Sequence, residues 1–387
     1  MTKTTALRFV LMIGVVSFFA DFTYEGSRSI TGPYLALLGA NATMVGIAAG
    51  LGELLGYGLR LVSGRLSEKT GKFWPITLFG YFIQMLSVPL LAFAGSWQVA
   101  ALLIITERIG KATRNPPRDV MLSHAAKEMG YGWGFGVHEA LDQFGALFGP
   151  LLVAVTLSAR KEYRLAFLAL FVPAILTLTL ILVARRTYPN PEGTEATHER
   201  LRGSGLARAF WVYLTGAVLI AAGFADFSIM AFHFQKASVV PQSWIPVFYS
   251  LAMGVSGAGS LLFGKLFDKF GMIILVPLTL IATLATPLVF LGGFGWALLG
   301  SALWGLGMGV HESIIPAAVA LMVPPERRPS AYGLFTAAYG VFWFAGSALI
   351  GFLYDRALPA VIAFSVVAQL AAIPLLVRAG RDVPRQA

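Results

Sequence analysis

The segment GRLSEKTG at residues 64–71 recurs, with few changes, as GKLFDKFG at residues 264–271. A second pair of segments repeats in the same way, FADFT at 19–23 and FADFS at 224–228. Each pair has one copy in each half of the chain, at equivalent points and with nearly the same separation. We therefore predict an internal duplication in which the two halves share one architecture.

The chain around these segments is strongly apolar. Of its 387 residues, 57% are hydrophobic and only 12% are charged, and the mean hydropathy is +0.74, which excludes an ordinary soluble domain. A bilayer core about 30 Å thick needs roughly 20 apolar residues for each helical crossing, and such runs recur along nearly the whole sequence. We predict an all-α polytopic membrane protein whose twelve transmembrane helices form two pseudo-symmetric six-helix bundles, centred near residues 20, 53, 84, 110, 144, 174, 221, 253, 282, 307, 341 and 368.

One polar segment divides the chain near its middle. RRTYPNPEGTEATHERLRGSG, residues 185–205, is rich in proline, glycine and charge, a composition typical of a linker. We predict an N-terminal bundle at 1–184, a cytoplasmic linker at 185–208 and a C-terminal bundle at 209–387. The first apolar run lacks a small-residue cleavage site, so we expect a retained helix rather than a signal peptide.

Basic residues indicate the orientation. Most lysines and arginines fall at the two ends of the chain and in alternate loops, and membrane proteins keep such loops in the cytoplasm. We predict a multi-pass protein of the cytoplasmic membrane with both termini inside. The exceptions to this distribution of basic residues are Arg160, Lys161 and Arg164. The net charge of +10 then reflects topology and contact with the lipid bilayer, and no basic surface domain indicates nucleic-acid binding.

The repeated loop segment resembles a known motif. The segment resembles the loop motif that the major facilitator superfamily carries between spans two and three and again between spans eight and nine. The resemblance is carried by Gly64, Glu68, Lys69 and Gly71 and by their second copies, although Glu68 replaces the usual Asp. The resemblance covers essentially the whole chain. It implies that spans 1, 4, 7 and 10 line a central cavity and that spans 3, 6, 9 and 12 face lipid. Those four outer spans carry no Asp, Glu, Lys or Arg in their apolar cores, as the high cost of a charge in hydrocarbon requires.

Three charges interrupt the first span. Asp21, Glu25 and Arg28 are spaced i, i+4 and i+7, so they lie on one face of the helix. One interpretation is that Arg28 only neutralises Glu25. The other is that this face borders the cavity with Tyr24, and that Asp21, which matches Asp226 in span seven, binds a proton or a cationic group.

Span five carries a second cluster. His138, Glu139 and Asp142 lie within one helical turn, and a histidine beside carboxylates can exchange protons near neutral pH. The alternative is a polar network that packs against Arg28 or Arg60. The following residues 145–150, Gly-x-x-x-Gly-Pro, resemble a motif of family members that export by antiport, although such spacing also serves close helix packing.

Span four is basic near its cytoplasmic end. Glu107, Lys111, Arg114 and Arg118 follow near-helical spacing, and we expect Pro116 and Pro117 to end the helix. The deeper Arg108 and Lys111 are candidates to receive an anion, and in the second half Asp226 and His233 are candidates to hold the solute. The predicted gating residues are Glu68, Lys69, Arg114, Arg118, Asp268 and Lys269.

These patterns predict a secondary active transporter that moves a small polar or ionic solute by alternating access. We expect proton coupling through Asp21, Glu25, His138, Glu139 and Asp142, and the glycine motif favours export. No phosphate-binding loop is present, so ATP is not expected to drive it directly. We predict no enzyme activity, cofactor or metal site. The alternatives are an intramembrane enzyme acting on lipid and a transporter-like sensor, and import and sodium coupling stay open.

Overall fold

A computed structural model describes residues 3–127, 130–189, 206–324 and 327–381. Within these ranges the chain is almost entirely helical and contains no β-strand. Short 3₁₀ turns lie at Leu91–Phe93, Gln242–Trp244 and Gly271–Ile274, and a π-helical turn lies at Val310–Ile314. The α-helices are α1 (Lys3–Arg28), α2 (Thr31–Leu37), α3 (Ala42–Thr70), α4 (Phe73–Leu90), α5 (Trp97–Lys127), α6 (Tyr131–Arg160), α7 (Tyr163–Ala169), α8 (Phe171–Thr187), α9 (Arg208–Gly223), α10 (Phe227–Lys236), α11 (Ile245–Phe270), α12 (Leu275–Thr283), α13 (Ala285–Leu291), α14 (Phe294–Gly309), α15 (Ile315–Met322), α16 (Arg328–Arg356) and α17 (Leu358–Arg381).

Each of the twelve predicted span centres lies inside one of these helices. Among the described residues, nine helical segments are long and apolar enough to cross a membrane, and one of them, Gln242–Leu291, contains α11 to α13 and so holds two predicted spans. The predicted spans near residues 110 and 307 are not among the nine, because α5 is highly charged and the π turn separates α14 from α15. The chain is an all-α polytopic membrane protein, as predicted.

The prediction that Pro116 and Pro117 end the fourth span is wrong. Helix α5 continues through both prolines to Lys127. Pro116 has no N–H to donate to the carbonyl of Ala112 four residues earlier, and the hydroxyl of Ser63 on α3 donates to that oxygen at 2.8 Å instead. A neighbouring helix therefore satisfies the carbonyl that the proline frees, which lets the helix continue in an apolar environment.

The chain folds into two compact units. Unit one comprises Met1–Gly39, Leu55–Thr197 and Gln242–Ser250, and unit two comprises Ala40–Leu54, His198–Pro241 and Leu251–Ala387. Each unit consists mainly of one half of the sequence and includes one end of a helix, α3 or α11, from the other half. The boundaries predicted for the two bundles stay a prediction, and residues 190–205 of the predicted linker lie outside the described residues.

The repeated loop motif has the same backbone in both copies. Gly71 and Gly271 each have φ +64°, the left-handed region that a side chain makes costly. Gly71 follows α3, and Gly271 follows α11. The final glycine of each copy is therefore required by the way the chain leaves the helix, and this agreement supports the internal duplication.

In unit one, α6 packs closely on α1. A Cβ atom at Gly145 would overlap the carbonyl oxygen of Phe18, and one at Gly149 would overlap that of Phe22. The two glycines lie one helical turn apart and let the backbones approach each other. The structure therefore supports close packing as the role of this glycine pair.

We expect Gly149→Ala to lower the free energy of unfolding by about 1–3 kcal/mol, because the new methyl group must push α6 away from α1. Gly136→Ala on the same helix is the matched control, since a Cβ there meets nothing within 4 Å. The control should be neutral or stabilising by up to about 1 kcal/mol through helix propensity. Unfolding of both variants in detergent tests this, and equal stability would refute the packing role.

In unit two, the N-terminus of α3 is bound by a carboxylate of α16. Asp355 accepts hydrogen bonds from the backbone N–H groups of Ala42 and Thr43 at 3.0 and 2.8 Å, and from the Thr43 hydroxyl at 2.6 Å. Negative charge at a helix N-terminus is favourable because the N–H groups there lack partners in the helix. Asp355 therefore fixes the beginning of α3 on the end of α16.

The outer spans present apolar side chains at their surfaces. Helices α4, α8, α12 and α17 expose large hydrophobic residues, among them Phe79, Phe82, Phe171, Val172, Leu280, Ile281, Val367 and Leu370. Such surfaces suit contact with lipid, and they fit the absence of charge from the cores of these four spans.

Candidate functional site

Asp21 on α1 is bound by two cations from α5. The Nζ atom of Lys111 lies 3.6 Å from Asp21 Oδ1, and a terminal nitrogen of Arg114 lies 3.4 Å from the same oxygen. Asp21 is 8% exposed. A single buried carboxylate oxygen is thus shared between two cations, and it links α1 to α5.

Arg114 is fully buried and satisfied mainly by α4. Its Nε donates to the amide oxygen of Gln84 at 2.5 Å, and a terminal nitrogen donates to the Tyr81 hydroxyl at 2.9 Å. The guanidinium also lies 4.4 Å from the centre of the Tyr81 ring. Gln84 in turn donates to Glu107 on α5 at 2.8 Å. The buried charge therefore has partners on all sides, as burial requires.

The Tyr24 side chain contacts three cationic side chains, two through its ring and one through its hydroxyl. Lys111 Nζ lies 3.9 Å and the guanidinium carbon of Arg108 lies 4.8 Å from the ring centre. Arg28 donates to the Tyr24 hydroxyl at 3.4 Å. Aromatic faces attract cations through their quadrupole, so the buried Tyr24 holds Arg108 and Lys111 close together.

Glu25 is bound by a residue far away in the sequence. The Tyr249 hydroxyl at the beginning of α11 donates to Glu25 at 2.5 Å, and both residues belong to unit one. Glu25 and Tyr249 are both buried. The carboxylates predicted on one face of α1 therefore have partners from different helices, α5 for Asp21 and α11 for Glu25.

His138 on α6 lies in a polar network with α1 and α5. Its Nε2 is 2.8 Å from the hydroxyl of Ser17, which also accepts a hydrogen bond from Arg118 at 3.1 Å. Arg118 binds Asp119 through two nitrogens at 2.9 and 2.7 Å. The His138 network is thus formed with Ser17 and Arg118, whereas the predicted partners were Arg28 or Arg60.

Asp142 and Glu139 differ in environment. Among the described residues, no hydrogen bond reaches the buried Oδ1 of Asp142. Glu139 is exposed and accepts a hydrogen bond from Gln143 at 3.0 Å. Ligand atoms of His138, Glu139 and Asp142 lie within 4.8 Å of one another, close enough for a small cation. The neighbouring Arg118 opposes a cation at that point.

The predicted gating residues fall into two environments. Glu68 and Lys69 are exposed at the end of α3, and the corresponding Asp268 and Lys269 are exposed at the end of α11. Arg114 and Arg118 are buried, and within the described ranges no ion pair joins either of them to Glu68. The gating role of all six stays a prediction.

In unit two, Asp226 lies where span seven is interrupted. Helix α9 ends at Gly223 and α10 begins at Phe227, and the Asp226 side chain caps α10 by accepting from the backbone N–H of Ser228 at 2.9 Å. The Trp304 indole donates to the Ala225 carbonyl at 2.8 Å. Asp21 lies within an unbroken helix, so the two matching aspartates have different local roles.

Two histidines of the second half, the predicted His233 and also His311, are buried among aromatic rings. The Nδ1 of His233 is 2.9 Å from the Tyr354 hydroxyl, and its buried Nε2 has no hydrogen-bond partner among the described residues. His311 lies in the π turn, 2.5 Å from the Tyr339 hydroxyl and against the ring of Phe224. In unit one, the buried carboxylates Asp21 and Glu107 lie beside cationic side chains of α5.

A family model of the Major Facilitator Superfamily matches residues 13–347 and 242–386 of the chain. The chain belongs to the Major Facilitator Superfamily. The resemblance inferred from the repeated loop motif is therefore confirmed, and the chain is a member of a transporter family.

Individual relatives of this major facilitator agree with the family match. An uncharacterised protein of Mycobacterium tuberculosis is 39% identical over 379 residues, which cover 96% of this chain and 93% of the relative. An uncharacterised MFS-type transporter of Methanocaldococcus jannaschii is 25% identical and covers 89% of this chain and 88% of its own. A variant of the nucleoside transporter NupG has a similar fold, with a TM-score of 0.80 at 15% identity over 95% of this chain and 99% of its own.

Proposed function

We propose that this major facilitator is a secondary active transporter that moves a small polar or ionic solute by alternating access, with a proton gradient as the energy source. Asp21 carries the proposal. Its single oxygen is shared by Lys111 and Arg114, so a proton on Asp21 would weaken both contacts between α1 and α5. Proton binding would then change how the two helices are held together.

Three further groups are proposed to take part in proton coupling. Among the described residues no hydrogen bond reaches the buried oxygen of Asp142, and His138 lies one turn away from it on α6. Glu25 accepts a hydrogen bond from the Tyr249 hydroxyl, so a cation is not its sole partner. Ionisable groups inside membrane spans are costly, and their presence in a transporter is best explained by a role in proton or solute movement.

We also propose that both termini lie in the cytoplasm and that transport is outward. The first proposal rests on the distribution of basic residues, and the second on the resemblance of the segment from Gly145 to Pro150 to the motif of antiporting exporters. The exposed Glu68 and Asp268 at the corresponding ends of α3 and α11 are proposed to take part in gating.

The test is transport by the purified protein in liposomes, with labelled sugars, nucleosides, amino acids, organic acids, inorganic ions and organic cations as solutes. Liposomes without protein are the control. We expect one class to be moved faster when a pH gradient is imposed, and a proton ionophore to abolish the effect. Binding of a solute without any flux would contradict the transport proposal and favour a sensor.

A further inference from the structure

We propose that Arg108 and Lys111, held over the ring of Tyr24, bind an anionic group of the transported solute, a carboxylate or a phosphate. This inference rests on the proposed transport function and names the class of its substrate. It assigns recognition of the solute to α5 and α1 in unit one. It also separates these two cations from Arg114, whose contacts are structural.

The two cations are accessible, whereas Arg114 is not. The side chains of Arg108 and Lys111 are 13% and 18% exposed, and that of Arg114 is 1% exposed. All three residues lie on the same helix, within two turns of one another. A solute can therefore reach Arg108 and Lys111 without disrupting the buried network around Arg114.

Their contacts with protein carboxylates are long. Lys111 is 3.6 Å from Asp21, and Arg108 is 3.8 Å from Glu107, both beyond hydrogen-bond distance. By comparison, Arg118 binds Asp119 at 2.7 Å. Glu107 is instead hydrogen-bonded by Gln84 at 2.8 Å. An anionic group of the solute can therefore approach Lys111 more closely than Asp21 does.

The geometry fits a group with several oxygens. Arg108 and Lys111 are spaced i, i+3 on α5, so their heads lie on the same face of the helix. A planar guanidinium and a compact ammonium side by side can bind two oxygens of one carboxylate or phosphate. Tyr24 holds both cations, which lowers the entropy lost on binding.

The experiment compares probes of different charge on the full-length protein in phosphatidylcholine liposomes. Succinate and inorganic phosphate are the anions, glucose is the neutral probe and choline is the cation. We expect counterflow of at least one anion, and we expect Lys111→Gln and Arg108→Gln each to raise the half-saturating concentration about tenfold or more. Lys127→Gln, at the exposed end of the same helix, is the matched control and should behave as the wild type. Lys111→Arg should retain most of the affinity because it keeps the charge.

The outcomes separate this inference from the transport proposal. Counterflow of glucose or choline but of neither anion would overturn the anion site and leave transport standing. Anion counterflow that is unchanged in both glutamine variants would also overturn the site. A response only to added phosphatidylglycerol, seen as a higher unfolding midpoint without flux, would assign the cations to lipid headgroups. Absence of flux for all four probes would overturn the anion site, while flux of another class in the wider panel would still support transport.

Discussion

Arg114→Met is expected to lower the free energy of unfolding by about 3–5 kcal/mol, which is the range for removing one partner of a buried charge network. The side chain is fully buried and contacts Asp21 on α1 as well as Tyr81 and Gln84 on α4. Methionine fills similar space but removes the donors that Arg114 supplies to Asp21, Tyr81 and Gln84. Equilibrium unfolding in mixed detergent micelles measures the change.

The matched control is Arg160→Met, which removes an exposed arginine at the end of α6 and should change stability by less than about 0.5 kcal/mol. Arg114→Lys should be intermediate, since it keeps the charge but loses the donors that reach α4. The double variant Arg114→Met with Asp21→Asn should be less unstable than the two single effects added together, because it removes both members of the pair. If Arg114→Met unfolds like the control, Arg114 is not what joins the three helices.

The sequence predicted the helices well because their signal is local. Each apolar run identifies a span, and each predicted centre lies in a helix. The error at Pro116 had a long-range cause, since the hydroxyl that satisfies the Ala112 carbonyl comes from Ser63 on another helix. Local sequence carries no information about which helix will supply that donor.

The candidate site could be predicted only in part, because the sequence signal is local and the partners of each side chain are not. Asp21, Glu25 and Arg28 could be placed on one face of α1 from their spacing alone, but their partners depend on how distant helices pack. Tyr249, which binds Glu25, comes from the other half of the sequence. Gln84 was missed in the sequence analysis. A signal was present, because Gln84 is a polar residue in the apolar core of a span without charges.

Asp21→Asn is expected to make transport insensitive to the pH gradient, with the gradient-driven rate falling about tenfold, a typical size for the coupling between two linked sites. Asparagine has the shape of aspartate but cannot bind or release a proton, so Lys111 and Arg114 lose their negatively charged partner. Solute counterflow at equal pH on both sides should persist, since it needs no net proton movement. Uptake into liposomes, with and without a pH gradient, measures both rates for the solute that the wild type transports.

The matched control for Asp21→Asn is Glu162→Gln, which neutralises an exposed carboxylate before α7 and should keep the response to the gradient. Asp142→Asn provides the second measurement, because its buried carboxylate is the other proposed proton site in unit one. If only Asp142→Asn removes the response, Asp21 fixes the cations of α5 and does not carry the proton. If both variants respond like the wild type, the coupling group lies elsewhere. Loss of counterflow together with the response would instead show that Asp21 supports solute binding, since an uncoupled transporter still exchanges its solute.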